Sequence, residues 1–263
     1  MSNLAKRLPF AALFIGIAVY SIFFAPEWLF LLVAITLVSF ALYEYSLLAQ
    51  AKGFWMHPGL LIFMGALIVV SVYLSLSFEV ILMALVTFFV LFFTRKSVDQ
   101  GLASAALFIF GLIYIAWFFS QILQIRRLPH GEIWVFFTIL IVKGGDAGAY
   151  FVGKSIGKIK LLEHVSPKKS IEGAWGQLIT SIVLAALSSY YLPDVGLHHI
   201  LILGFFIGIL AQVSDLAESL LKRDAGVKDS GQIPGLGGIL DVLDSLLFTI
   251  PFVYFYLTRI VIH

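Results

Sequence analysis

Residues 212–245, QVSDLAESLLKRDAGVKDSGQIPGLGGILDVLDS, hold most of the side chains in this chain that could do chemistry. Five of the eight aspartates lie here: Asp215, Asp224, Asp229, Asp241 and Asp244. With them stand Glu218, Lys222, Arg223, Lys228 and the glycine-dense turn Pro234-Gly235-Leu236-Gly237-Gly238. Long apolar runs flank the segment, and acids kept beside membrane-grade hydrophobic sequence are costly, so they mark a functional site. Read as a helix, the first half puts Asp215, Glu218, Ser219 and Lys222 on one face; the second half does the same with Asp241, Asp244 and Ser245. Between them, Gly235, Gly237 and Gly238 let backbone N–H groups approach an anion closely. Two acidic helix faces, a basic pair and a glycine turn suit metal-assisted phosphate chemistry. The plainer alternative is a solvated interhelical loop with capping aspartates.

A second cluster runs from 143 to 173, KGGDAGAYFVGKSIGKIKLLEHVSPKKSIEG. Asp146 ends an apolar run among glycines, and Gly153-Lys154 and Gly157-Lys158 form a basic, glycine-spaced tract. Ser166-Pro167-Lys168-Lys169-Ser170 leads into a predicted helix, with Ser170 as N-cap and Glu172 in the first turn, where the helix dipole favours an acid. Two lysines before a helix N-terminus offer a phosphate site. A juxtamembrane basic loop holding anionic lipid headgroups fits the same residues. Neither GxGxxG nor the nucleotide P-loop pattern occurs.

The elements that must position these residues are apolar helices. The chain is 61% hydrophobic and 12% charged, with a mean hydropathy of +1.03; soluble domains carry about twice that charged share. The expected fold is an all-α polytopic membrane protein. Its 263 residues form a single membrane domain, with spanning helices over 1–123 and catalytic helices and cytoplasmic loops over 124–263. Candidate spans are 9–25, 28–48, 59–77, 80–94, 100–123, 132–143, 173–192, 198–214 and 245–262, about nine transmembrane helices. The sixth could continue through Gly144-Gly145 to Tyr150 as an interrupted helix buried in protein. With the N-terminus cytoplasmic, fourteen of the 17 Lys and Arg residues fall inside, and only Arg126, Arg127 and Arg259 outside. That puts every polar cluster of interest on the cytoplasmic side.

The net charge of +2 argues for no nucleic-acid partner, and the absence of cysteine excludes disulfides and thiolate chemistry. Carboxylates and six histidines are left as metal ligands, which favours hard cations such as Mg²⁺. His57, His130 and His164 are isolated in loops. Glu44 is the one acid inside an N-terminal span, either a helix-end residue or a member of an internal polar network.

These residues resemble the integral-membrane phosphatidate cytidylyltransferases, or CDP-diacylglycerol synthases. The family pattern S-x-x-K-R, K-D, P-G-H-G-G, D-R-x-D is matched by Ser219 to Arg223, Lys228-Asp229, Pro234 to Gly238 and Asp241 to Asp244. Upstream, D-x-x-A-Y, a G-K tract and S-P-K-K-[ST]-x-E-G are matched by Asp146 to Tyr150, Gly153-Lys154 and Ser166 to Gly173. Close resemblance covers about 140–250. Leu236 stands where the family has His, and Val242 where it has Arg, so no role of that His or Arg carries over.

The resemblance implies transfer of cytidylyl from CTP to phosphatidate, giving CDP-diacylglycerol and pyrophosphate. It makes Asp215 and Asp241 metal ligands that converge on one site, with Glu218 and Asp244 beside them. Lys222, Arg223, Lys168 and Lys169 neutralise phosphate, joined in substrate binding by Ser166, Ser170, Gly235, Gly237, Gly238 and Asp146. The implied cofactor is Mg²⁺, as two divalent ions or one divalent with one monovalent cation. The expected partners are CTP, phosphatidate, membrane lipids and a second copy in a homodimer, in a bacterial inner membrane. Two other readings stay open: an ion-coupled secondary transporter using Asp146, Asp215 and Asp241, and a CTP-dependent lipid kinase, which would release CDP.

Overall fold

A computed structural model describes residues 15–76, 78–94, 98–192, 194–233 and 237–262, with backbone only for Phe78. The expectations that rest on Lys6, Arg7, Arg95, Lys96, Pro234, Gly235 and Leu236, and the start of the first span, lie outside these residues. Helical backbone over 15–23 is followed by α1 (Glu27–Ala51), α2 (Pro58–Tyr73), α3 (Phe78–Phe92), α4 (Gly101–Arg126) and α5 (Gly131–Ile156). Then come the strands β1 (Lys160–Leu162) and β2 (Ser166–Ser170), α6 (Ile171–Ser188), α7 (Leu197–Asp224), α8 (Ile239–Leu243) and α9 (Thr249–Tyr256). The one sheet among the described residues is the antiparallel β1–β2 hairpin, in which Lys160 pairs with Ser170.

Six helices among the described residues are long and apolar enough to cross a membrane: α1, α4, α5, Ile171–Tyr191, α7 and Ile239–Val261; α2 and α3 are shorter and apolar. The chain is an integral membrane protein built of helices, and the expected count of about nine spans is not reproduced. Surface chemistry agrees with this. On α1, Trp28, Leu32, Phe40, Tyr43 and Leu47 point outward, whereas Glu44 and Ser46 are buried. Apolar side chains outside and polar ones inside is the arrangement that hydrocarbon favours.

The chain divides into two compact units. The first comprises Met1–Gln124 with Leu221–Leu243; the second comprises Ile125–Leu220 with Asp244–His263. In the first, Val38, Ala41, Leu42 and Tyr45 of α1 are buried with Leu61, Ile68 and Val69 of α2 and with Phe108, Leu112 and Ile115 of α4. The Tyr45 hydroxyl donates to the Leu107 carbonyl across 2.9 Å. That bond fixes α1 against α4 just before a π-helical stretch, Leu112–Trp117. Helix α2 starts with Pro58 in its first turn and with His57 Nδ1 accepting from Leu60 N at 3.1 Å, so His57 is a cap.

In the second unit α5 and α6 run antiparallel in close contact: Gly144 faces Leu184, Gly148 faces Thr180 and Gly176, and Gly153 faces Gly173. Small residues allow this approach, as is usual where apolar solvent gives helices no hydrophobic reason to associate. Contrary to the expected interruption at Gly144-Gly145, α5 continues unbroken to Ile156. In apolar surroundings a broken turn would leave backbone groups without water to bond. The hairpin then returns the chain to α6, where the Ser170 hydroxyl accepts from Gly173 N at 3.1 Å as the expected N-cap.

The α5–α6 contact is testable by overpacking. A Cβ at Gly148 would collide with Thr180 and stand 3.1 Å from the Gly176 carbonyl. Gly148→Val should therefore cost about 1–3 kcal/mol of stability, read as a lowered melting temperature in detergent. An unchanged melting curve would contradict the described crossing.

Candidate active site

Within the second unit the hairpin, α5, α6 and α7 enclose a cavity of about 510 Å³, a size suited to a small-molecule ligand. Helix α5 lends it Asp146, Tyr150 and Lys154; β2 lends Ser166, Lys168, Lys169 and Ser170; α6 lends Gln177; α7 lends Gln212 and Asp215. The S-P-K-K-S strand is aimed by the hairpin and by the Ser170 cap. Its partner strand is held by Lys160 Nζ donating to Pro167 O at 2.7 Å, and Ile159 N donates to Glu172 at 3.3 Å. Lys154 Nζ lies 5.6 Å from the Tyr150 ring centroid, a cation–π distance.

Charge inside the cavity is paired. Lys169 Nζ is 2.8 Å from Asp215 Oδ2, with both side chains under one third exposed. Asp215 Oδ1 also lies 3.4 Å from the Ser219 hydroxyl, one turn on along α7. Asp146 accepts from Gln177 Nε2 at 3.0 Å and from the Ser245 hydroxyl at 2.9 Å, and stands 3.5 Å from Lys143 Nζ. Lys143 in turn donates to Ser245 Oγ at 2.9 Å. Asp244 lies within electrostatic range of Asp215, Asp146 and Lys143. Glu218, one turn from Asp215, is fully buried. Three aspartates and two lysines thus share one neighbourhood.

The remaining predicted residues belong to the first unit. Asp241 is the centre of the glycine turn: Oδ2 accepts from Ser230 N at 2.8 Å and Gly238 N at 2.7 Å and lies 2.9 Å from Ser230 Oγ, while Oδ1 pairs with Lys222. Gly237 has φ +84°, the left-handed conformation that favours glycine, and bridges back to Ile233. Arg223 donates to Val227 O at 2.8 Å. The expected single face of Asp241, Asp244 and Ser245 is not one α-helical face. Helix α8 ends at Leu243 and a 3₁₀ turn begins at Asp244, so Asp241 falls in the first unit and Asp244 and Ser245 in the second. Gly235 lies outside the described residues.

Sequence reasoning gave no site role to Gln177, Gln212 or Lys143, and placed Ser245 only on a face with Asp241 and Asp244. Their signal was polarity inside apolar runs, the same one that marked the acids.

The fit of a divalent cation follows from donor chemistry. Among the described residues no three His, Asp or Glu side chains are arranged to hold a metal ion. Asp146, Asp215 and Asp244 nonetheless offer only hard carboxylate oxygens, close enough for their charges to interact. Mg²⁺ keeps several waters and takes one or two carboxylates plus substrate phosphates. These residues fit that requirement without a preformed cage.

A sequence model of the cytidylyltransferase family matches residues 5–260. The chain is 33% identical over 279 residues to a phosphatidate cytidylyltransferase of Synechocystis, covering 92% of this chain and 93% of that protein. It is 42% identical over 151 residues to the Bacillus subtilis phosphatidate cytidylyltransferase, 55% of either chain. A Haemophilus influenzae protein of the same name is 45% identical over 134 residues, 48% of this chain and 46% of that one. The matched stretches therefore span about half of the latter two proteins.

If the cavity lysines are a phosphate site rather than a membrane-facing patch, Lys168→Ala with Lys169→Ala should weaken binding of inorganic pyrophosphate about tenfold or more, since each charge-assisted bond contributes about 1.5–3 kcal/mol. Titration calorimetry on the purified protein reads this directly. Equal affinity in the double variant would assign both lysines to lipid headgroups.

Proposed function

Because the chain belongs to the cytidylyltransferase family, we propose that it transfers cytidylyl from CTP to phosphatidate, yielding CDP-diacylglycerol and pyrophosphate. The observation that carries this reading is the second-unit cavity, where Lys168, Lys169 and Lys154 face Asp146 and Asp215 beside the Ser170-capped helix. Lysines and acids lining one cavity suit a triphosphate that needs both fixed positive charge and a hard metal.

In the reaction an ionised oxygen of the phosphatidate phosphate attacks the α-phosphorus of CTP. The new P–O bond forms as the bond to the β-phosphate oxygen breaks, and the electron pair leaves with pyrophosphate. The nucleophile carries its own charge near neutral pH, so no side-chain base is required, and Leu236 in the family's His position is tolerable. Lys168, Lys169 and Lys154 hold triphosphate oxygens and offset the repulsion between two anions, with Ser166 beside them. Gln177 and Ser245 keep the Asp146 carboxylate oriented.

One or two of the carboxylates of Asp215, Asp146 and Asp244 would hold Mg²⁺ together with substrate phosphate and water, and the ion when bound would supply Lewis-acid neutralisation of the phosphate charge. The resemblance adds Asp241 and Glu218. Asp241 would have to release Lys222, Ser230 and Gly238 to serve as a ligand. The Lys169–Asp215 ion pair links the two requirements: in the free protein each neutralises the other, and with substrate bound Lys169 would be released to phosphate while Asp215 would be free to serve as a metal ligand. Lys222, with Asp241, and Arg223 belong to the signature segment and are proposed to support substrate phosphate.

Orientation of the site to the cytoplasm is supported by the Lys and Arg distribution, and a bacterial membrane by the bacterial relatives. A homodimer and a total of about nine spans rest on the sequence alone. The transporter reading loses its main support, since α5 runs unbroken past Asp146.

Purified protein given CTP, phosphatidate and Mg²⁺ should form CDP-diacylglycerol, and Asp215→Asn should lower turnover at least about a hundredfold while expression is maintained. Near-normal turnover in that variant would remove Asp215 from the reaction. Lys169→Ala, by contrast, should act mainly on the KM for CTP, by about tenfold to a hundredfold.

A further inference from the structure

Glu44 lies in α1, outside every motif that carries the resemblance, yet it is only 8% exposed and its carboxylate is aimed at one segment far along the chain. Oε1 accepts from Ile239 N at 2.9 Å, and Oε2 accepts from Leu240 N at 2.8 Å and from the Ser230 hydroxyl at 2.7 Å. Ile239 and Leu240 are the first residues of α8, so their N–H groups have no partner within that helix. The Ser230 hydroxyl also lies 2.9 Å from Asp241 Oδ2. It has one proton to give, which couples the two carboxylates. A Cβ at Gly238 would strike both the Glu44 carboxylate and Ser230. The glycines of the turn thus leave room for this acid.

We propose that Glu44 is a positioning residue for the reaction: it clamps the turn 230–241 to α1 and thereby sets Asp241 and its partner Lys222. The claim rests on the function proposed above for its catalytic consequence, and on geometry alone for the clamp. An acid placed for packing would be an expensive choice in an apolar helix, because a hydrocarbon side chain costs nothing to desolvate. Three donors drawn from a single signature segment give the carboxylate a specific task. Glutamine cannot take it over. With its oxygen on Leu240 N and Ser230 Oγ, its NH₂ would face the Ile239 N–H, donor against donor.

The test pairs hydrogen exchange with kinetics on the full chain in detergent. In Glu44→Gln, amide exchange at residues 239 and 240 should accelerate about tenfold or more, with no change over 143–177. kcat should fall about tenfold to a hundredfold while the KM for CTP moves less than about threefold. Ser230→Ala removes the bridge between the carboxylates while leaving both acids in place and Glu44 with its two backbone donors. It should show a smaller loss, again in kcat, and it carries the test if Glu44→Gln does not fold. Unchanged exchange at 239 and 240 in Glu44→Gln, or unchanged kcat in Ser230→Ala, overturns the proposal. If the wild-type protein makes no CDP-lipid the functional reading fails, while the exchange result still decides whether Glu44 clamps the turn.

Discussion

A carboxylate brought into apolar surroundings must be answered by donors or by opposite charge, and this constraint arranges the polar interior of both units. In the first unit two acids, Glu44 and Asp241, take up the backbone N–H groups of Ser230, Gly238, Ile239 and Leu240 between them, with Lys222 as counter-charge. In the second unit Asp146 and Asp215 are answered by Lys143, Lys169, Gln177 and the hydroxyls of Ser245 and Ser219. The loops and helix ends that would otherwise be free to vary are tied to these acids. Replacing one acid therefore does more than remove a charge: it leaves several donors without acceptors.

The two units answer the constraint differently, and the difference bears on function. Around Glu44 and Asp241 the acceptors are taken by main-chain donors, an arrangement that fixes shape. Around Asp215 the partner is a flexible lysine, an arrangement that can be exchanged for a ligand. Lysine is suited to this because its ammonium is a point charge on a mobile stem, able to leave a carboxylate for a phosphate without a set fork geometry. A cavity with such a pair at its wall has those two charges neutralised within the protein.

Much of this was readable from local signals. Hydropathy revealed the helices, a serine before an acidic turn revealed the Ser170 cap, and lysines and acids in apolar context marked Asp146, Lys168, Lys169 and Asp215, which the fold brings to one cavity. Other features had no local signal. Glu44 is a single acid whose partners lie 186 to 196 residues away, so composition and periodicity could not separate a cap from a clamp. Gly144-Gly145 looked like a helix break because glycine breaks helices in water. Without water the same glycines serve close packing, and α5 runs on. The division between Asp241 and Asp244 was hidden because a 3₁₀ turn interrupts a spacing that otherwise fits one helix face.

The central claim is that the cavity lined by lysines and acids serves cytidylyl transfer, in which the α-phosphate of CTP moves and the outer two phosphates leave together. The most direct measurement follows label position in purified protein with phosphatidate and Mg²⁺. With α-labelled CTP the label should enter the lipid fraction, and with γ-labelled CTP it should appear in pyrophosphate. Lipid carrying the γ-label, with CDP in solution, would contradict the account and make the protein a lipid kinase.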